Sequence, residues 1–395
     1  MLLWLLHHWP NLWPDALTSL ALAKITPRAA LAAALSFLAA LLLGPSWIRW
    51  LQKRFREPIK SDSPEIAEMH RHKQATPTMG GLFVMVAVLA ATTILVDPQN
   101  PYLAPALVLA IGMAIVGGID DLVKILGTTN GITAKQKVLG QLLVTGLAVG
   151  LLYRQQASIP DGLLLDLPWF GKCSLGLWFL PIATVVIVGA SNAVNITDGL
   201  DGLAGGCLIV ATAAMALLLY VAGHAEWALY LAVPRVPHAG EMAICAAAVV
   251  GAMLGFLWFN CHPAQVFLGD TGALPLGALL GFFAVVARQE WLLLIIAGVF
   301  VVEAASVILQ VGYYKWRRRR IFLCAPLHHH FQLLGWPENK IVVRFWIAAM
   351  LCALIGVATL RLPARTPAPQ PLPNLGQAED VVPSIQNTSS PGQQT

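Results

Sequence analysis

Ten apolar stretches, at about 28–50, 78–96, 103–119, 138–153, 175–192, 202–222, 239–259, 271–287, 291–314 and 344–361, leave little of this 395-residue chain for anything else. A helix that crosses a bilayer needs about 20 apolar residues, and most of these stretches are close to that length. Hydrocarbon offers the backbone no water to bond to, so each stretch is expected as a helix. Composition agrees: 57% of residues are hydrophobic and 11% charged, where a soluble domain carries about a quarter charged. The expected fold is an all-α polytopic membrane protein of about ten transmembrane helices. An ordinary soluble enzyme is excluded.

The segment 1–27 is rich in Trp, is broken by Pro10 and Pro14, and lacks both a basic start and a small-residue cleavage site. It reads as an interfacial segment rather than a signal peptide. The stretch 363–395, rich in Pro, Gln, Ser and Gly, reads as a disordered tail. Between them, 28–362 forms one membrane domain. Seventeen of the 25 Lys and Arg residues fall in 49–77, 120–137 and 315–344. The span count puts these three segments on one side, and the positive-inside rule makes that side the cytoplasm, with both termini external. Basic residues placed beside membrane segments, rather than along one polar face, argue against nucleic-acid binding. The six cysteines are scattered without a CxxC pair, which gives no support to a disulfide framework or zinc site.

Five polar clusters lie at span ends: Lys73–Gly81, Asp120-Asp121 with Lys124, Asn192-x-x-Asn195-x-x-Asp198-Gly-x-Asp201, Asn260 with Phe267-Leu-Gly-Asp270, and Ala325-Pro-Leu-His328-His329-His330. Successive clusters are separated by two spans, so all five open on the same face and read as one composite site. Ionised residues at the end of an apolar run are functional by default. Neighbours on a helix point about 100° apart, so Asp120 and Asp121 are expected to do different jobs. Asp270 has two readings, an N-cap or a ligand for Mg²⁺, which takes oxygen donors. Asn192, Asn195, Asp198 and Asp201 are neighbours on a helix face, with bonding between helices the alternative for Asn192. Glu303, mid-span, is either a buried partner for Lys or the Asn cluster, or a wall of the site. Lys73, Lys124 and Lys137 suit phosphate as point charges, or serve topology alone. Consecutive His side chains diverge, so the triple His is read as donors to phosphate or sugar rather than as a metal site, or as an incidental loop.

Thr76-Pro-Thr-Met-Gly-Gly81, Asp120-Asp121, Asn195-x-x-Asp198-Gly-Leu-Asp201-Gly, Phe267-Leu-Gly-Asp270 and Ala325-Pro-Leu-His-His-His330 together resemble the phospho-N-acetylmuramoyl-pentapeptide transferases. These are the bacterial branch of the polyprenyl-phosphate N-acetylhexosamine-1-phosphate transferases. The likeness runs from about 45 to 362, with the motifs in order. Leu122, Ala75 and Ala273 depart from the common pattern without removing a chemical group. The resemblance implies Mg²⁺-dependent transfer of phospho-MurNAc-pentapeptide from UDP-MurNAc-pentapeptide to undecaprenyl phosphate, giving lipid I and UMP. The site would face the cytoplasm of the bacterial inner membrane, and the enzyme would be a homodimer. It further implies Asp270 as the Mg²⁺ ligand and Asp120 and Asp121 as the essential acidic pair, with Asp120 the candidate base. Asn195, Asp198, Phe267 and Gln310 would bind the uridine end. Lys73, Thr76, Lys124, Lys137, Asn260, His328 and His329 would surround the phosphates and sugar.

Two alternatives remain at the level of sequence. A relative acting on UDP-N-acetylglucosamine shares most of the motifs, the histidine motif arguing for the muramoyl branch. An ion-coupled secondary transporter would also carry intramembrane Asp, Asn and Glu, but its polar residues should gather at the midplane rather than at one face.

Overall fold

A computed structural model describes residues 24–54, 76–127, 131–159, 162–167 and 171–360. The expected interfacial segment at 1–27, all but its last residues, and the tail at 363–395 lie outside the described residues, as does Lys73.

All ten apolar stretches form helix. They are α1 (Ile25–Arg54), α2 (Gly81–Leu95), α3 (Leu103–Leu126), α4 (Ala134–Ala157), α5 (Phe179–Thr197), α6 (Leu203–Gly223), α8 (Ala239–Asn260), α9 (Asp270–Ala287), the pair α10 (Glu290–Ile296) and α11 (Gly298–Arg317), and α13 (Glu338–Ala358). Short helices α7 (Ala225–Tyr230) and α12 (Leu327–Leu333) and a 3₁₀ turn at Gly176–Trp178 complete the helical set among the described residues. Eight of these helices are long and apolar enough to cross a membrane. The pair α10–α11 qualifies only when taken together and is bent by 87° at its break. Helix α2, at 15 residues, spans about 22 Å at 1.5 Å per residue, less than the roughly 30 Å of a hydrocarbon core. The only strands among the described residues form a two-stranded antiparallel hairpin, β1 (Leu164–Leu167) and β2 (Gly171–Ser174), between α4 and α5.

Helix α9 is the axis of the bundle. Every one of its 18 residues is buried, as expected of a helix that is apolar all round. It packs against α2, α3, α5, α6 and α8. Gly277 and Gly281, one turn apart, lie directly on Ser191 and Ile187 of α5, where a Cβ on either glycine would meet backbone. Small residues at this spacing let membrane helices approach closely, and the close fit fixes the height of α9 against α5.

Hydrogen bonds show which helix ends share a face. Those of Asp120, Lys137, Asn195 and Asp270 link the C-terminal ends of α3 and α5 to the N-terminal ends of α4 and α9. At the other end, Arg28 of α1 donates to both carboxylate oxygens of Glu241 on α8, at 2.8 and 2.5 Å, and to the Leu95 carbonyl at 3.1 Å. Also at that end, Arg288, just past α9, donates to the Leu164 carbonyl of the hairpin at 3.0 Å.

Candidate active site

The backbone just before α9 sets up the site. Residues 77–81 lie beside 267–268, with Phe267 donating to the Pro77 carbonyl and Gly80 and Gly81 donating to the carbonyls of Phe267 and Leu268, each at 2.8 Å. Gly269 then turns the chain with φ of +71°, a left-handed conformation that an L side chain rarely adopts. A Cβ there would crowd Asp121 Oδ2 and Thr78 Oγ1. The turn delivers Asp270 as the first residue of α9.

Gly269 provides no side-chain cap, and the Asp270 side chain points elsewhere. The cap comes from α3. Asp121 accepts the Asp270 amide on Oδ1 at 3.2 Å, and on Oδ2 the Thr271 amide at 2.9 Å and hydroxyl at 2.6 Å. A carboxylate on a helix N-terminus satisfies orphan amides and complements the dipole. This frees the Asp270 carboxylate to face the site.

Around it gather the other charges. Asp270 Oδ1 accepts Asn195 Nδ2 at 2.7 Å, and Oδ2 accepts Lys124 Nζ at 2.9 Å and Lys137 Nζ at 2.5 Å. Asp120 Oδ2 lies 2.8 Å from Lys124 Nζ and 3.4 Å from Lys137 Nζ, while its Oδ1 accepts the Ile132 amide at 2.9 Å. Asp120, Asp121 and Asp270 are all buried, and one oxygen from each lies within 4.8 Å of the others. Such hard oxygen donors fit Mg²⁺, which is usually held by one or two carboxylates plus substrate phosphates. Asp121 is committed to the amides and hydroxyl of α9, whereas Asp120 and Asp270 share the Lys124 and Lys137 ammonium groups, so these two are the carboxylates that would hold a cation. Ammonium groups already rest on them.

Residues 103–288 match the family model described as Glycosyl transferase family 4. A phospho-N-acetylmuramoyl-pentapeptide-transferase from Solidesulfovibrio magneticus is 46% identical over 343 residues, covering 86% of this chain and 94% of the relative. One of the same name from Maridesulfovibrio salexigens is 47% identical over 342 residues, with the same coverage. Another, from Pelobacter propionicus, is 45% identical over 342 residues. The chain belongs to the phospho-N-acetylmuramoyl-pentapeptide-transferase family. Membership together with the apolar helices makes it a multi-pass bacterial membrane protein. Relatives of this kind also remove the support for a transporter, and the acidic cluster sits at helix ends rather than at mid-span.

Within this phospho-N-acetylmuramoyl-pentapeptide-transferase family member, the remaining residues singled out from sequence divide into separate groups. Asp198 ends α5, beside Gly199. Thr76 is half-buried, its hydroxyl 3.4 Å from the Ala264 carbonyl, and Phe267 is half-buried in the paired backbone described above. Asn260 is buried, with its amide bridging the Gly202 amide at 3.0 Å and the Val266 carbonyl at 2.8 Å. Gln310 holds the 321–322 backbone, accepting both amides and donating to the Phe322 carbonyl. Asn192 bonds Gln141 of α4, the inter-helix role. His329 Nδ1 pairs with Gln332 at 2.7 Å. Among the described residues Glu303 meets neither Lys nor the Asn cluster; it pairs with His328.

Sequence reasoning missed three features. Thr271 anchors Asp121, yet its only signal was its place after Asp270. Asp201, His262 and Glu338 form a second polar knot, with His262 Nδ1 at 2.9 Å from Asp201 Oδ2 and the Asp201 amide donating to Glu338 at 2.9 Å. The Arg28–Glu241 pair was signalled by charge at the start of two spans.

Proposed function

We propose that this transferase moves phospho-MurNAc-pentapeptide from UDP-MurNAc-pentapeptide to undecaprenyl phosphate, releasing UMP and forming lipid I, the first membrane step of peptidoglycan synthesis. The observation that carries the reading is the meeting of Asp120, Asp270, Lys124 and Lys137 at the ends of three helices, with Asn195 and Asp121 fixing Asp270 in place. A site at helix ends suits a donor arriving from water and an acceptor held in lipid.

In the reaction an oxygen of the lipid phosphate attacks the sugar-linked phosphorus of the donor. The bond from that phosphorus to the bridging oxygen breaks, and UMP leaves with the electron pair. A phosphate monoester has its second pKa near 6, so at neutral pH the nucleophile is already largely a dianion. The main barrier is then anion approaching anion. Lys124 and Lys137 offset that repulsion and bind the charge that develops on the departing phosphate. Asp120, between the two lysines, orients them and accepts any proton the acceptor still carries. When bound at Asp120 and Asp270, Mg²⁺ supplies further charge neutralisation to the diphosphate.

The same reading places the site on the cytoplasmic face of the inner membrane, both termini outside, and the enzyme as a homodimer. On this reading Thr76, Asn195, Asp198, Phe267 and His329 would bind the uridine and sugar, and Lys73 would bind the donor as the family resemblance implies. Asn260 and Gln310 act by shaping the backbone around it. The test is UMP release by purified protein with undecaprenyl phosphate and either nucleotide sugar. Turnover is expected with UDP-MurNAc-pentapeptide and little with UDP-N-acetylglucosamine; equal or better turnover of the latter defeats the muramoyl assignment.

A further inference from the structure

Helix α4 brings Lys137 to the acidic cluster from the edge of the bundle. It packs mainly against α3 and α5, and Leu139, Leu143 and Leu147 on its outer face are exposed. Its buried stripe carries three polar side chains, Gln141, Thr145 and Gln156. Neither the Thr145 hydroxyl nor the Gln156 amide has a partner among the described residues. Gln141 alone of the three is tied.

The tie is a two-way amide pair with Asn192 of α5. Asn192 Nδ2 donates to the Val188 carbonyl at 2.8 Å, which fixes the way the amide faces, since only its nitrogen can donate. The second hydrogen of that nitrogen goes to Gln141 Oε1 at 2.9 Å, and Gln141 Nε2 returns a bond to Asn192 Oδ1 at 3.3 Å. Lipid is as apolar as the side chains it competes with, so polar pairs and close packing decide how membrane helices dock. Paired amides meet in one register only.

That register is the one the site needs. Gln141 lies one turn from Lys137 on the same face of α4, and Asn192 lies three residues from Asn195 on α5, spacings that make each a neighbour of the other. Lys137 and Asn195 both donate to Asp270, at 2.5 and 2.7 Å. The amide pair is thus a second rung, one turn deeper than the rung that grips Asp270. Gly277 and Gly281 already fix α5 against α9, so the height of α5 relative to Asp270 is set without α4. The pair passes that height on to α4.

We infer that Gln141 is a positioning residue for the transfer: its amide pair with Asn192 sets α4 in the register that places the Lys137 ammonium between Asp120 and Asp270. The inference rests on the transfer reading above. Gln141 reaches none of the reacting groups and acts through Lys137.

A double-mutant cycle separates this role from a merely structural one. Gln141→Met keeps the unbranched shape and helix preference of the side chain and removes both bonds. In otherwise wild-type protein it is expected to lower kcat for UMP release by about tenfold to a hundredfold, the scale of a small misplacement of a reacting group. Its KM for UDP-MurNAc-pentapeptide should stay within about threefold of wild type, with the thermal midpoint in detergent little changed. In a Lys137→Met background the same substitution is expected to alter kcat by less than about twofold, because the group it positions is gone. Loss by the same factor in both backgrounds overturns the proposal and leaves the pair as a helix clamp. A Gln141→Met enzyme within about twofold of wild-type kcat overturns it as well. Should Gln141→Met fail to fold, Gln141→Leu is carried through the same cycle and read in the same way. Wild-type protein that releases no UMP from that donor would instead defeat the transfer reading, a failure visible before any variant is compared.

Discussion

Asp121 caps the helix that begins with Asp270. Its two oxygens take the Asp270 amide, the Thr271 amide and the Thr271 hydroxyl, while the adjacent Asp120 faces Lys124 and Lys137. Two neighbouring carboxylates, about 100° apart on one helix, thus divide into an anchor for α9 and a group that faces the lysines.

That division has separable consequences. Asp121→Ala leaves three buried donors without an acceptor, at about 1–3 kcal/mol for each, so both thermal stability and turnover are expected to fall. Asp120→Asn is expected to abolish turnover with the thermal midpoint preserved. Differential scanning fluorimetry beside a UMP-release assay checks both, and equal stability of the two variants would contradict the anchor role.

Lys137 reaches both Asp120 and Asp270 from α4. Lys137→Met removes one positive charge from the transition state and is expected to lower kcat by about 10²–10³, the loss seen when one preorganised donor is deleted. Its KM for the donor should change far less. A large KM effect at unchanged kcat would make the lysine a ground-state binder.

The fold places two native thiols at opposite ends. Cys173 is exposed on β2 and Cys261 is exposed just past α8. In intact cells a membrane-impermeant maleimide should label a variant that retains only Cys173 and spare one that retains only Cys261, which should react in inverted membrane vesicles. Labelling of both from one side is incompatible with the topology.

The ion pair of Arg28 and Glu241 ties α1 to α8 and to the end of α2. Breaking a buried pair from one side costs about 3–5 kcal/mol. Arg28→Ala is therefore expected to shorten the enzyme's half-life in detergent at raised temperature while leaving kcat at low temperature near wild type, since the pair lies at the end away from Asp270. A kcat collapse in folded protein would show coupling between the two ends.

The helices were legible because length and apolarity suffice to specify a membrane span, and every one of the ten stretches is helical. The acidic residues were legible because ionised groups at the rim of an apolar run stand out. What Asp121 does was not, since its partners are about 150 residues away and only packing of α9 against α3 brings them together. Taken alone Asp270 reads as a cap, and only in company with Asp120 and Asp121 as a ligand; the cap belongs to Asp121. The resemblance gives Asn260 and Gln310 to the substrate; an amide that can bind a substrate binds backbone equally well, and here both bond backbone. Glu303 gave no hint of its histidine, which lies 25 residues on, past the bend of the last basic loop.

The central claim is that Asp270, held by Asp121 and Asn195, anchors a divalent cation beside Asp120 for transfer between two phosphates. The most direct measurement is UMP release from UDP-MurNAc-pentapeptide by wild type and Asp270→Asn across a Mg²⁺ titration from chelated to millimolar. The expected result is a wild type silent in chelator and restored by Mg²⁺, with Asp270→Asn folded but inactive throughout. Undiminished wild-type turnover in chelator, or near-normal turnover of Asp270→Asn, would contradict it.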